Sequence, residues 1–186
     1  MSYKIAINGY GRIGRCVLRA FYESTNYADL RIVAINDLAD IGNLAHLTRY
    51  DSTHGRFLGE VEQGDGELLV SGDAIRVSQQ ADVTALAWAD LGIDLVMECS
   101  GAFTDRSTAQ KHISNGAKRV LFSQPADSDF ICFENAVQLR AARRLLRRVI
   151  ENSIVQEFAG RPVDLPQICY VDSLMCFLQS GLVTET

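Results

Sequence analysis

Asn8-Gly9-Tyr10-Gly11-Arg12-Ile13-Gly14 is the stretch of this 186-residue chain that decides its fold. The apolar segment before it, Tyr3 to Asn8, predicts a short buried strand, and the residues from about Ile13 to Glu23 predict a helix. A Gly-x-Gly-x-x-Gly spacing between a strand and a helix is typical of a turn that holds a dinucleotide pyrophosphate. The first glycine makes the tight turn, the second lets the backbone approach the phosphates, and the third packs the helix against the strand.

The start of this helix adds an attraction for anions. Unpaired N–H groups near Arg12 and Ile13 carry the positive end of the helix dipole, which favours an anion by roughly 0.3 to 1 kcal/mol in exposed settings. A bare glycine pattern also occurs in ordinary turns, but here a second buried strand from Leu30 ends at Asn36-Asp37, where a ribose-binding acid is expected. The predicted cofactor-binding residues of this region are Asn8, Gly9, Gly11, Arg12, Ile13, Gly14, Asn36 and Asp37.

Asp37 indicates which dinucleotide is bound. A carboxylate accepts hydrogen bonds from a ribose 2′-hydroxyl but repels a 2′-phosphate, so the expected cofactor is NAD rather than NADP. The alternative is that Asp37 is a loop aspartate that caps the turn.

Strands and helices continue to alternate over residues 1–128, which we predict to be one domain. The pattern predicts an α/β fold with a doubly wound, Rossmann-type parallel sheet, an antiparallel hairpin insertion, and a largely helical tail. A helix with Asp40 as its N-cap is predicted to extend to Tyr50, and hairpin strands are predicted within Phe57 to Ser78. A strand from Asp94 to Cys99 follows. Next come a helix capped by Asp105 or Thr104 and ended by Gly116, and a strand from Arg119 to Ser123.

Composition limits the partners and the compartment. The net charge of -5 argues against a general affinity for nucleic acid or an anionic membrane. Five cysteines, an odd number without a C-x-x-C pair, predict a reduced, cytoplasmic chain without a metal site. We see no signal peptide and no apolar run of membrane-spanning length.

Several blocks of sequence resemble the glyceraldehyde-3-phosphate dehydrogenase family in the same order. Within the family, Asn36-Asp37-Leu38-Ala39-Asp40 and Leu121-Phe122-Ser123-Gln124-Pro125 look more similar to the erythrose-4-phosphate dehydrogenase branch. The blocks that carry the resemblance are Ile7 to Arg15, Asn36 to Leu38, Tyr50-Asp51-Ser52-Thr53-His54-Gly55-Arg56-Phe57, Glu98-Cys99-Ser100-Gly101-Ala102-Phe103 and Gly116 to Pro125.

The resemblance implies further cofactor contacts from Ser100 and Gly101 near the nicotinamide and from Ser123 on the next strand end. The alternative is that these are turn and capping residues. His54 and Arg56 are interpreted as structural loop residues. The expected partner is a small-molecule dinucleotide, and the oligomeric state is left open, a homo-oligomer included.

Family members oxidise an aldehyde phosphate through a cysteine in a Ser-Cys-Thr-Thr-Asn motif, with a histidine later in the chain. This sequence contains neither that motif nor any histidine after His112. The resemblance therefore predicts the NAD-binding part of an erythrose-4-phosphate or glyceraldehyde-3-phosphate dehydrogenase that binds the cofactor without catalytic residues of its own.

Residues 129–186 match nothing in the family that we can place. An amphipathic, arginine-rich helix is predicted over about residues 134–158, either packed on the domain by its apolar stripe or docking an acidic partner. Two alternatives to the main functional interpretation follow: a non-catalytic NAD-sensing or interaction module, and a truncated or frameshifted remnant without function.

Overall fold

The structure, a computed structural model, describes residues 2–24, 27–103, 105–123 and 144–145. The described residues form a seven-stranded sheet with helices on both faces, and a separate two-stranded ribbon. In chain order the elements are β1 (Tyr3–Asn8), α1 (Arg12–Tyr22), β2 (Leu30–Asn36), α2 (Ile41–Arg49), β3 (Tyr50–Asp51), β4 (Gly55–Arg56), β5 (Val61–Gln63), β6 (Glu67–Val70), β7 (Asp73–Ser78), α3 (Trp88–Leu91), β8 (Leu95–Glu98), α4 (Arg106–Ser114) and β9 (Val120–Phe122).

The strand order β5-β6-β7-β2-β1-β8-β9 explains where a ligand can bind. β1 lies between β2 on one side and β8 on the other. The pairing is parallel along the series β7, β2, β1, β8 and β9. The order therefore reverses beside β1, and such a switch point opens a crevice at the carboxyl ends of the strands. The doubly wound α/β fold is confirmed.

The predicted antiparallel insertion is present, and its last strand joins the main sheet. β5, β6 and β7 pair antiparallel, and β7 then pairs in parallel with β2. The insertion is thus part of the main sheet, which it enters through the parallel pair of β7 and β2.

Two apolar layers cover the sheet. On one face Ile5, Ile7 and Met97 pack in a cluster with residues of α1 and α2. On the other face the smaller Ala6 and Val96 pack with Trp88. The alternation of side chains along each strand divides the residues between these layers.

β2 carries one extra residue relative to β1. Ile5 pairs with Ile32, but the next residue, Ala6, pairs with Ala34, so Val33 is skipped. Such a bulge shifts the alternation of the strand by one position.

The predicted caps of α2 and α4 are confirmed. Asp40 accepts a hydrogen bond from the Asn43 N–H at 2.9 Å, and Asp105 accepts one from the Thr108 N–H at 3.0 Å. Thr104 lies outside the described residues. The 3-10 turn at Val83–Ala85 and helix α3 were not predicted, because such short pieces show no helical periodicity.

Most of the predicted arginine-rich helix, and the boundary at residue 128, lie outside the described residues. Arg144 and Leu145 are described: both are helical, Arg144 is exposed, and Leu145 is buried in the same cluster as α1. Among the described helices none is long and apolar enough to cross a membrane.

Candidate dinucleotide-binding site

The three glycines of the turn meet different surroundings. A Cβ added to Gly9 would lie 2.3 Å from the Ser100 Cα, and one added to Gly14 would lie 2.3 Å from the Gly9 carbonyl oxygen. A Cβ added to Gly11 would meet nothing within 4 Å. Gly9 and Gly14 are therefore required for packing inside the protein, whereas Gly11 borders open space at the crevice.

Helix α1 begins beside this open space. Gly11 occupies the N-cap position and supplies no capping side chain, and both Gly11 and Arg12 are exposed. The N–H groups of the first turn, including those of Arg12 and Ile13, carry the positive end of the helix dipole. This arrangement can hold an anionic group close to the backbone.

Asp37 fixes the glycine turn from the neighbouring strand end. Its Oδ2 accepts the N–H of Tyr10 at 2.7 Å, and its Oδ1 accepts the N–H of Ala39 at 3.0 Å. The carboxylate is half-buried. A carboxylate has about four acceptor sites, so this turn-capping role leaves capacity for a ligand hydroxyl.

The side chains of Asn8 and Asn36 face the protein interior instead of the crevice. The Asn36 Nδ2 donates to the Asn8 Oδ1 at 2.8 Å, and the Asn8 Nδ2 donates to the Glu98 Oε2 at 2.6 Å. All three side chains are buried. They join the carboxyl ends of β2, β1 and β8 beneath the glycine turn.

Glu98 was not predicted as a site residue, although a charged residue inside an apolar strand was a usable signal. In addition to the hydrogen bond from Asn8, the Glu98 Oε1 accepts the Ser100 N–H at 2.9 Å. The Glu98 Oε2 also contacts the His112 Nε2 at 3.1 Å. The Trp88 Nε1–H donates to the His112 Nδ1 at 3.0 Å. Because an indole N–H only donates, Nδ1 carries no proton, and the proton on Nε2 is donated to Glu98. Three donors therefore surround one buried carboxylate.

Ser100, Gly101 and Ser123 lie at the carboxyl ends of β8 and β9. The Ser100 Oγ accepts the Ala102 N–H at 3.2 Å, and Gly101 has a φ of 73°, so both shape the turn after β8. The Ser123 N–H donates to the Glu98 carbonyl at 2.9 Å and extends the pairing of these strands.

Cys99 lies beside these residues as a buried thiol. Burial and, less strongly, the Glu98 charge raise its pKa to about 12, and a hydrogen bond with Ser123 only partly opposes them. Since the thiolate is the nucleophilic form, Cys99 is unsuited to nucleophilic chemistry near neutral pH.

His54 belongs to the turn between β3 and β4. Its N–H and its Nδ1 contact the Asp51 Oδ1 at 2.8 and 3.1 Å, and its carbonyl accepts from the Arg19 guanidinium at 3.3 Å. These contacts support its interpretation as a structural loop residue. Within the described ranges no group of His, Cys, Asp or Glu side chains is arranged to hold a metal ion.

A glycine turn at the switch point, a helix N-terminus beside it, and an acid at the end of the neighbouring strand define a Rossmann-type dinucleotide-binding domain. The family model described as "Glyceraldehyde 3-phosphate dehydrogenase, NAD binding domain" matches residues 3–106, more than half of the chain. The chain therefore belongs to this family, and the matched region is an NAD-binding domain.

Proposed function

We propose that NAD binds across the crevice beside β1, with its pyrophosphate over Gly11 and the first turn of α1. The observation that carries this proposal is the contrast between Gly11, which borders open space, and Gly9 and Gly14, which are packed against backbone. The two packed glycines fix the turn, and the open one leaves room for a phosphate to approach the backbone.

In this proposal the adenosine end of the cofactor lies at Asp37 and the nicotinamide end lies at the turns after β8 and β9. Asp37 accepts the adenosine ribose hydroxyl with the lone pairs that Tyr10 and Ala39 leave unused. Ser100, Gly101 and Ser123 then border the nicotinamide end on the opposite side of β1. In this proposal the side chains of Asn8 and Asn36 support cofactor binding indirectly, because they hold together the strand ends on which the binding turns stand.

The blocks of sequence around Asn36 and Ser123 favour an erythrose-4-phosphate dehydrogenase as the parent enzyme, with glyceraldehyde-3-phosphate dehydrogenase as the other candidate. In either parent, bound NAD supplies the hydride acceptor for an aldehyde phosphate. These 186 residues contain no Ser-Cys-Thr-Thr-Asn stretch, and Cys99 is buried with a raised pKa. The chain on its own therefore binds NAD without oxidising a substrate.

Titration of the purified chain with NAD, NADH and NADPH tests this function, followed by an assay for NAD reduction with both aldehyde phosphates. We expect saturable binding of NAD and NADH, weaker binding of NADPH, and no reduction. Absence of NADH binding to a folded sample would refute the site, and measurable reduction would refute catalytic incompleteness.

A further inference from the structure

Glu98 is a buried negative charge placed next to the crevice. Its side chain is 1% exposed, and its Oε1 is one hydrogen bond from the backbone of Ser100, which is exposed at the carboxyl end of β8. Gly9 packs directly against Ser100 from the other side. The carboxylate thus lies beneath the contact between the two loops that border the switch point.

The hydrogen bonds around Glu98 do not neutralise it. Its ion-pair contact within the described ranges is His112, and the Trp88 N–H requires His112 to be the neutral Nε2–H form. Asn8 and Ser100 donate from uncharged groups. Within the described ranges no cation therefore balances the negative charge of this carboxylate, and in a region of low dielectric constant its field is weakly screened.

We propose that this charge makes Glu98 a determinant of the oxidation state of the bound cofactor, favouring NAD+ over NADH. The inference rests on the proposed placement of the nicotinamide beside Ser100. The nicotinamide ring is positively charged in NAD+ and neutral in NADH, whereas the remaining groups of the two molecules are the same. A fixed negative charge near the ring therefore stabilises the oxidised form and leaves the binding of the reduced form almost unchanged.

Glu98 also positions the loops through Asn8 and Ser100, and the measurement must separate this role from the charge. Loosened loops weaken NAD+ and NADH together. Loss of the charge weakens NAD+ selectively. The informative quantity is therefore the ratio of the dissociation constant of NAD+ to that of NADH, measured by calorimetry for NAD+ and by nucleotide fluorescence for NADH.

The central variant is Glu98→Gln, which removes the charge with little change in shape. We expect the ratio to rise by about threefold to tenfold, because the Coulomb attraction between one unit charge and the ring is removed. An equal weakening of both forms, with an unchanged ratio, would overturn the inference and leave Glu98 as a structural residue.

Two matched variants keep the charge. Glu98→Asp retains a carboxylate, and His112→Gln retains an acceptor for Trp88 and a donor for Glu98. In both, the ratio should stay within about twofold of the wild-type value even where both dissociation constants rise, because the Coulomb interaction with the ring is kept. A shift of the ratio as large as that in Glu98→Gln would contradict the inference.

The double variant Glu98→Gln/His112→Glu covers the case in which the single variant does not fold. It moves the charge away from the crevice and lets position 112 accept from Trp88 and from the new amide, while the Asn8 Nδ2 loses its acceptor. The ratio should again rise, and a ratio equal to that of the wild type would overturn the inference. If the folded wild type binds neither form, the proposed function fails instead, so the two failures are distinguishable.

Discussion

Gly9 and Ser100 touch backbone to backbone: a Cβ built on Gly9 would lie 2.3 Å from both the Cα and the N of Ser100. The contact joins the turn after β1 to the turn after β8. Gly9 also has a φ of 88°, in the left-handed region that favours glycine. Position 9 therefore excludes a side chain for two separate reasons, one from its neighbour and one from its own backbone.

Gly9→Ala should destabilise the domain by about 3 kcal/mol or more, because the clash is with backbone that cannot move aside cheaply. Gly72→Ala is the matched control, since Gly72 has a φ of 89° but meets nothing within 4 Å of an added Cβ. It should cost only about 1 kcal/mol, the price of the left-handed conformation. Urea unfolding curves measure both, and equal costs would show that packing against Ser100 is unimportant.

Gly11→Ala should lower stability by no more than about 1 kcal/mol, the cost of alanine at an N-cap, because the added methyl group meets no protein atom. The same methyl group enters the space assigned to the pyrophosphate, so the affinity for NADH should fall by about tenfold or more. NADH fluorescence titration and thermal unfolding of the same samples make the comparison. Unchanged affinity would place the phosphates elsewhere.

Asp37→Ala should weaken NADH binding by about tenfold or more, since a hydrogen bond to a charged group contributes about 1.5 to 3 kcal/mol. Binding of NADPH should weaken less, because the repulsion of its 2′-phosphate is removed at the same time. Asp40→Ala is the control: Asp40 caps α2 and is exposed, so this change should lower stability without altering the affinity. Equal NADH affinity in Asp37→Ala and the wild type would disprove the ribose contact.

His112→Phe should destabilise the domain by about 2 to 4 kcal/mol, because it leaves both the Trp88 N–H and the Glu98 carboxylate without a buried partner. His112→Gln can restore both hydrogen bonds and should lose less than half as much. Trp88 is the only tryptophan in the sequence, so its fluorescence during denaturant unfolding reports directly on this contact. Similar losses in the two variants would argue for ring packing as the main role of His112.

Asp51 should contribute stability at neutral pH that is lost in acid. Burial opposes its ionisation, but the N–H groups of His54 and Thr53 and the His54 ring outweigh burial and lower the pKa from 3.8 to about 2. Because the folded pKa is the lower one, the contribution is present above about pH 4 and disappears as the pH falls towards 2.

Asp51→Asn keeps an oxygen acceptor for the two N–H groups but cannot ionise. The stability advantage of the wild type over this variant should therefore shrink between about pH 4 and pH 2. Urea midpoints across that range test the expectation, and a constant difference down to pH 2 would rule it out.

The sequence was sufficient for those parts of the fold that depend on local patterns. The strands β1, β2 and β8 are recognisable because each is a short run of apolar residues. The helix caps Asp40 and Asp105 are recognisable from their residue type and their position before a helix. Likewise, the different tasks of Gly9, Gly11 and Gly14 follow from one motif and one turn.

The interior of the candidate site could not be predicted in this way. Glu98, His112 and Trp88 are brought together by the packing of α4 and α3 on β8, and no local pattern encodes that contact. Asn8 and Asn36 were predicted to bind cofactor, but a motif does not reveal which way a side chain points. Both amides join strand ends beneath the crevice, and contact of either residue with the cofactor stays a prediction.

The extra residue at Val33 determines which face of the sheet the following side chains of β2 occupy. Ile32 and Ala34 are two residues apart, yet they lie in opposite apolar layers. If β2 ran on regularly from Ile32, with Val33 paired to Ala6, Asn36 would project towards α1 and α2, out of reach of the Asn8 amide. One bulge in the middle of a strand thus keeps the polar chain from Asn36 through Asn8 to Glu98 continuous, although Val33 itself takes no part in its hydrogen bonds.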